Sequence, residues 1–125
     1  MIHEHDLRQF IGTENYYEEF LKLKITDGVQ FLKENCRCSW LITDISIAYN
    51  HDEKIIQNRT ENNFLLITLK INREKGTAIL MIQEDEEKPI LYLQQYEYTD
   101  IQQYYSGDEI KLYLIDNVLI LPSEY

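Results

Sequence analysis

Phe64-Leu65-Leu66-Ile67-Thr68-Leu69-Lys70-Ile71, then Asn72-Arg73-Glu74-Lys75-Gly76, then Thr77-Ala78-Ile79-Leu80-Met81-Ile82-Gln83: this stretch decides the fold. Leu65, Ile67, Leu69 and Ile71 recur at period two, as the alternating side chains of a strand require. The five residues from Asn72 to Gly76 are hairpin-length and carry a glycine near their end, so the second apolar run returns antiparallel to the first. Glu84-Asp85-Glu86-Glu87-Lys88-Pro89 makes the next turn, and a third strand runs from Ile90 to about Tyr98. After a loop from Thr99 to Asp108, Ile110 to Ile115 and Val118 to Leu121 flank Asp116-Asn117. That two-residue connection suits positive φ. About five antiparallel strands in meander order follow.

Upstream the pattern is helical. Thr13 reads as an N-cap with Glu14 in the first turn, and Tyr16, Tyr17, Phe20 and Leu21 repeat at helical spacing, which predicts a helix from Glu14 to about Leu23. Thr26-Asp27-Gly28 starts a second helix, with Val29, Leu32 and Cys36 on one face. A third begins at Ser39 and places Leu41, Ile42, Ile45, Ala48 and Tyr49 toward the core, although its β-branched content opposes helix. His51 to Asn63 is polar and irregular, and reads as a long loop. The expected architecture is one α+β domain over residues 1–125. Its helical part covers about 1–50, the loop about 51–63 and the β part about 64–122, with the helices on one face of the sheet.

The chain has 125 residues, 22 acidic against 12 basic, and a formal charge of −10. An apolar fraction of 44% is enough for a core, so disorder throughout is not expected. No apolar run approaches the ~20 residues of a bilayer span, and the charged start is no signal peptide, so a cytoplasmic protein is expected. A surface dedicated to duplex nucleic acid needs basic residues that this composition does not favour.

Catalytic and metal signals are weak. Cys36 and Cys38 are too close for an unstrained disulfide and lack a second pair for zinc, so they read as reduced, partly buried thiols. His3, His5 and Asp6 are spaced to chelate a metal but lie at a terminus, and spacing alone supplies no outer partners. His51-Asp52 has no nucleophile tied to it. Gly12, Gly28, Gly76 and Gly107 are scattered and form no phosphate cradle. No catalytic residue, metal or cofactor is assigned.

Two features remain. Glu84, Asp85, Glu86 and Glu87 form an acidic run at a hairpin tip. It reads either as a solvated tip that discourages sheet pairing or as a surface for a basic partner. Glu14, Glu18, Glu19, Asp52, Glu53, Glu61, Asp108 and Glu109 are candidates to extend it. The second feature is tyrosine, ten in all. On a strand from Ile90 to Tyr98, Leu91 and Leu93 take the core face. Tyr92, Tyr96 and Tyr98 then face away from the helices, joined by Tyr113, either as ordinary strand formers covered by the long loop or as a face for a homodimer or another partner.

The blocks Gly12-Thr13-Glu14-Asn15-Tyr16-Tyr17, Thr26-Asp27-Gly28-Val29-Gln30-Phe31-Leu32, Trp40-Leu41, Tyr98-Thr99-Asp100 and Leu121-Pro122-Ser123-Glu124-Tyr125 occur in this order. In them the chain resembles a family of small proteins catalogued only as a domain of unknown function and met in phages, plasmids and other bacterial mobile elements. The likeness runs from Leu7 to Tyr125. The sequence departs from it where Asp44 follows Trp40-Leu41 only after Ile42-Thr43, and where no tryptophan stands near Phe64. No site residue comes with the resemblance; it implies a mobile-DNA context.

The leading expectation is thus a non-catalytic, anti-CRISPR-like inhibitor whose acidic surface occupies the basic nucleic-acid channel of a host defence protein. One alternative is a binder that sequesters a nucleotide signal, using tyrosines for bases and Arg8, Arg37, Arg59 or Arg73 for phosphates. The other is an enzyme built on dispersed carboxylates. The final Tyr125 is expected to dock back onto the domain.

Overall fold

The computed structural model describes residues 1–59 and 63–125. Among these residues it has four α-helices and a seven-stranded sheet. The helices are α1 (Glu4–Leu7), α2 (Asp27–Asn35), α3 (Ser39–His51) and α4 (Glu53–Arg59). The strands are β1 (Tyr16–Glu18), β2 (Lys24–Thr26), β3 (Phe64–Asn72), β4 (Thr77–Gln83), β5 (Ile90–Tyr96), β6 (Glu109–Ile115) and β7 (Val118–Ile120). Their spatial order is β1-β2-β7-β6-β3-β4-β5.

The α+β class and the β3–β4 hairpin agree with the sequence reading. Leu69 pairs with Leu80, Ile67 with Ile82, and Gly76 takes the positive φ of +66° that the turn needs. Asp116 and Asn117 both have positive φ, so the β6–β7 connection is the tight turn expected of it.

The sheet is larger than five strands and is not purely antiparallel. The segment expected as a helix from Glu14 to Leu23 instead forms β1 and a 3₁₀ turn at Phe20–Lys22. Tyr17 pairs with Ile25, and β2 then pairs parallel with β7. Local helical spacing loses here to long-range pairing, because tyrosines suit strands and the N–H groups of Glu14 and Asn15 are taken by the Asp27 carboxylate. The predicted loop from His51 to Asn63 contains α4, started by Asp52, whose carboxylate accepts from the N–H of Ile55 at 3.1 Å. Residues 60–62, and with them Glu61, lie outside the described residues.

One face of the sheet carries the core. Leu65, Ile67, Leu69 and Ile71 meet Val29 and Leu32 of α2 and Leu41, Ile42, Ile45 and Ala48 of α3, all buried. The opposite face presents Leu66, Thr68, Tyr113 and Lys111, which pair across β3 and β6. The loop after β4 folds over this second face, because Glu86 forms an ion pair with Lys111, two strands away.

The tyrosine row takes the opposite side from the one expected. A register shift between Ile82 and Gln83 puts Tyr92 opposite Ile82, on the helix side. Tyr96 donates its hydroxyl to Asp44 Oδ2 of α3 at 2.7 Å, and Gln94 reaches the same oxygen at 3.4 Å. Leu93 is the outward residue, 49% exposed, while Leu91, at the irregularity, packs against the core. On an edge strand where Leu and Tyr alternate, apolar pattern alone reads equally on both faces. The part-buried Tyr96 hydroxyl and its acceptor on α3, Asp44, decide it.

Candidate functional site

The acidic tip is held in place. Asp85 closes the turn by accepting from the N–H of Glu87 at 2.7 Å, and its backbone carbonyl accepts from Lys88. Gln83 donates to the carbonyl of Lys88 at 2.9 Å, Asn58 of α4 bonds Glu84, and Glu86 pairs with Lys111. Asp85, Glu86 and Glu87 are exposed and Glu84 is half-buried. Of the residues named as extensions, Glu109 comes near, 3.7 Å from the same Lys111 nitrogen. Glu19 instead pairs with Lys33 at 3.0 Å, and Asp52 caps α4.

Tyr92, Tyr96, Tyr98 and Tyr113 do not form one outward face. Tyr92 and Tyr96 turn toward α3, and burial together with the Asp44 carboxylate raises the pKa of both hydroxyls. Tyr113 is on the other side of the sheet, its ring 4.9 Å from Phe64 and 5.4 Å from Tyr125.

A site the sequence did not single out lies where β5 ends. Trp40, in the first turn of α3, sets its ring edge-on to Tyr96 at 4.9 Å. Asp44 stands one helical turn further on, at the spacing that puts two side chains on one helix face. Tyr98, Thr99 and Asp100 close the other side of a concave pocket of about 310 Å³. Thr99 is fixed there by its N–H, which bonds the carbonyl of Gly76 at 2.8 Å.

Other sequence candidates have separate duties. Arg73 donates to the carbonyls of Tyr105, Gly107 and Gln102 and so braces the loop before β6. Arg59 lies over Tyr49 and Arg37 over Tyr104, while Arg8 bonds Glu4 at 3.0 Å in a different cleft. Cys36 and Cys38 are buried free thiols, and burial pushes Cys36 up to about 12 and Cys38 higher still, which keeps both protonated. His3 stacks on His5 and bonds Ser106 at 2.6 Å. Among the described residues no group of three or more His, Cys, Asp or Glu side chains is placed to hold a metal ion, and no helix is long and apolar enough to cross a membrane.

A family model of unknown function, DUF6876, matches residues 1–125. The chain belongs to the DUF6876 family. No curated protein and no solved structure matches it.

Three of the five sequence blocks that carried the resemblance meet at the start of α2. Thr13 accepts from the N–H of Asp27 at 2.9 Å, so it anchors a loop rather than starting a helix. The Asp27 carboxylate in turn accepts from Glu14 N–H at 3.0 Å, from the Tyr17 hydroxyl at 2.9 Å and from Asn15. Glu124 accepts from the Thr26 hydroxyl at 2.6 Å and from the N–H groups of Leu121 and Gly28 at 2.9 and 3.1 Å. The chain end is therefore docked chiefly by Glu124. Tyr125 contributes ring contacts to Phe64 and Tyr113 while its side chain stays exposed. The remaining two blocks, around Trp40 and Tyr98-Thr99-Asp100, wall the pocket.

The Asp27 hub makes a pH prediction. Hydrogen bonds from Glu14 and Tyr17 hold its carboxyl below the ordinary 3.8. A lowered folded-state pKa gives stability that is present above the unfolded value and lost as pH falls through the folded one. In denaturation midpoints, Asp27→Asn is expected to be less stable than the wild type at neutral pH. The gap should close on acidification below 3.8.

Proposed function

We propose that this protein is a non-catalytic inhibitor that binds a basic surface of a partner protein through the acidic tip of the β4–β5 hairpin. The observation that supports this reading is the fixed presentation of Glu84 to Glu87: the turn is closed by Asp85, and the flanks are tied to α4 and β6. Carboxylates held in advance lose less freedom on binding than carboxylates on a loose loop. The net negative tip, four carboxylates against Lys88 and the Lys111 that pairs with Glu86, on a chain of charge −10 also steers a basic partner in and repels acidic ones. The mobile-element context implied by the resemblance supplies the partner class: a cytoplasmic host defence protein whose nucleic-acid channel the tip occupies in place of phosphates.

Capture from a bacterial host lysate, followed by mass spectrometry, tests it. The wild-type chain is expected to retain a basic, nucleic-acid-binding protein. The variant carrying Glu84→Gln, Asp85→Asn, Glu86→Gln and Glu87→Gln is expected to lose it. Equal retention by both baits, or a retained partner without a basic surface, contradicts the proposal.

A further inference from the structure

We infer that the pocket between α3 and the end of β5 is a receptor for an arginine side chain of the partner protein. This deepens the proposed function and takes from it the basic character of the partner. Trp40, Tyr96 and Tyr98 line the cavity with three aromatic rings, and Asp44 and Asp100 with two carboxylates. No Lys, Arg or His is among the lining residues, so the pocket holds negative charge without an internal counter-ion.

The carboxylates retain free acceptors. Asp44 uses Oδ2 for both Tyr96 and Gln94, and among the described residues nothing bonds its Oδ1. Nothing among them bonds the Asp100 carboxylate either. Tyr98 is 78% exposed and no hydrogen bond among the described residues holds its hydroxyl, so its ring is open to a group arriving from outside. A cation is drawn to the faces of such rings, tryptophan most strongly. A guanidinium suits this lining better than an ammonium, because it is planar, stacks on aromatic rings and donates two parallel N–H bonds to one carboxylate. A volume of about 310 Å³ takes a single side chain and not a folded segment. The acidic tip and this pocket sit at the two ends of edge strand β5, whose seven residues span about 20 Å.

Trp40 is the only tryptophan in the chain, so its fluorescence and its indole N–H resonance report on this pocket alone. The experiment titrates the full chain with N-acetyl-arginine amide at constant ionic strength, with N-acetyl-lysine amide as comparison. A saturable Trp40 response to the arginine compound is expected at millimolar concentration, with the lysine compound clearly weaker. Asp100→Asn, which breaks no bond among the described residues, is expected to weaken it by about tenfold or more. The variant neutralised at Glu84 to Glu87 is expected to bind the arginine compound as the wild type does. A response that does not saturate, that the lysine compound equals, or that Asp100→Asn leaves unchanged overturns the inference. If Trp40 is silent while the tip variant loses the lysate partner, the pocket reading fails and the proposed function stands. If Trp40 responds while the tip variant keeps the partner, the opposite holds.

Discussion

Gly28→Ala is expected to destabilise the fold by about 2–4 kcal/mol, combining ~1–3 for overpacking with ~1 for a lost helix cap. A Cβ on Gly28 would stand 2.5 Å from Leu121 Cδ1 and 2.7 Å from Glu124 Oε1. Both atoms end flexible side chains, yet neither side chain is free to move. Leu121 is buried, and the Glu124 carboxylate is committed to the Thr26 hydroxyl and to two backbone N–H groups. Moving it aside uncaps α2, whose N-cap Thr26 depends on the same carboxylate. Chemical denaturation of the single and double mutants checks this. In a Glu124→Ala background the cost of Gly28→Ala should shrink, because one of the two clashing groups and the cap are already gone.

The second large effect lies in the core. Ile67→Ala is expected to cost about 2–5 kcal/mol, since it leaves a cavity between Ile82 and Leu112 in the middle of the sheet. Ile67 is 1% exposed, whereas Leu93 is 49% exposed on the outer face of β5. Leu93→Ala is therefore expected to fall within about 0.5 kcal/mol of wild type. A Leu93→Ala cost equal to that of Ile67→Ala would return Leu93 to the core and reverse the face assigned to the tyrosines.

Those two residues also mark what could be read from the chain alone. Ile67 was legible because β3 and β4 alternate over many residues and a short turn joins them, so pairing and face are decided locally. Leu93 was not, because the side that β5 presents to α3 depends on an irregularity at Gln83 and on Asp44, 52 positions from Tyr96. The same distance effect hid β1: Tyr16 and Tyr17 fit a helix until Asp27 takes the amides of Glu14 and Asn15 and β2 supplies a pairing edge. The helix from Glu53 to Arg59 had a usable signal, Asp52-Glu53 before Ile55, outweighed by the polar composition around it.

The site divides in the same way. Glu84 to Glu87 are contiguous, so their charge was visible, though their anchoring by Asn58 and Lys111 was not. Trp40 and Asp44 share a helix face, and Tyr98 and Asp100 belong to one short block. Only the packing of α3 against the end of β5 makes these pairs into one pocket.

We propose that the net negative charge of a fixed hairpin tip drives recognition of a basic partner. The sharpest test is the association rate constant for the captured partner as sodium chloride is raised through the physiological range. The rate should fall by about tenfold or more for the wild-type chain, and much less for the chain neutralised at Glu84 to Glu87. A rate indifferent to salt, with no difference between the two chains, would contradict it.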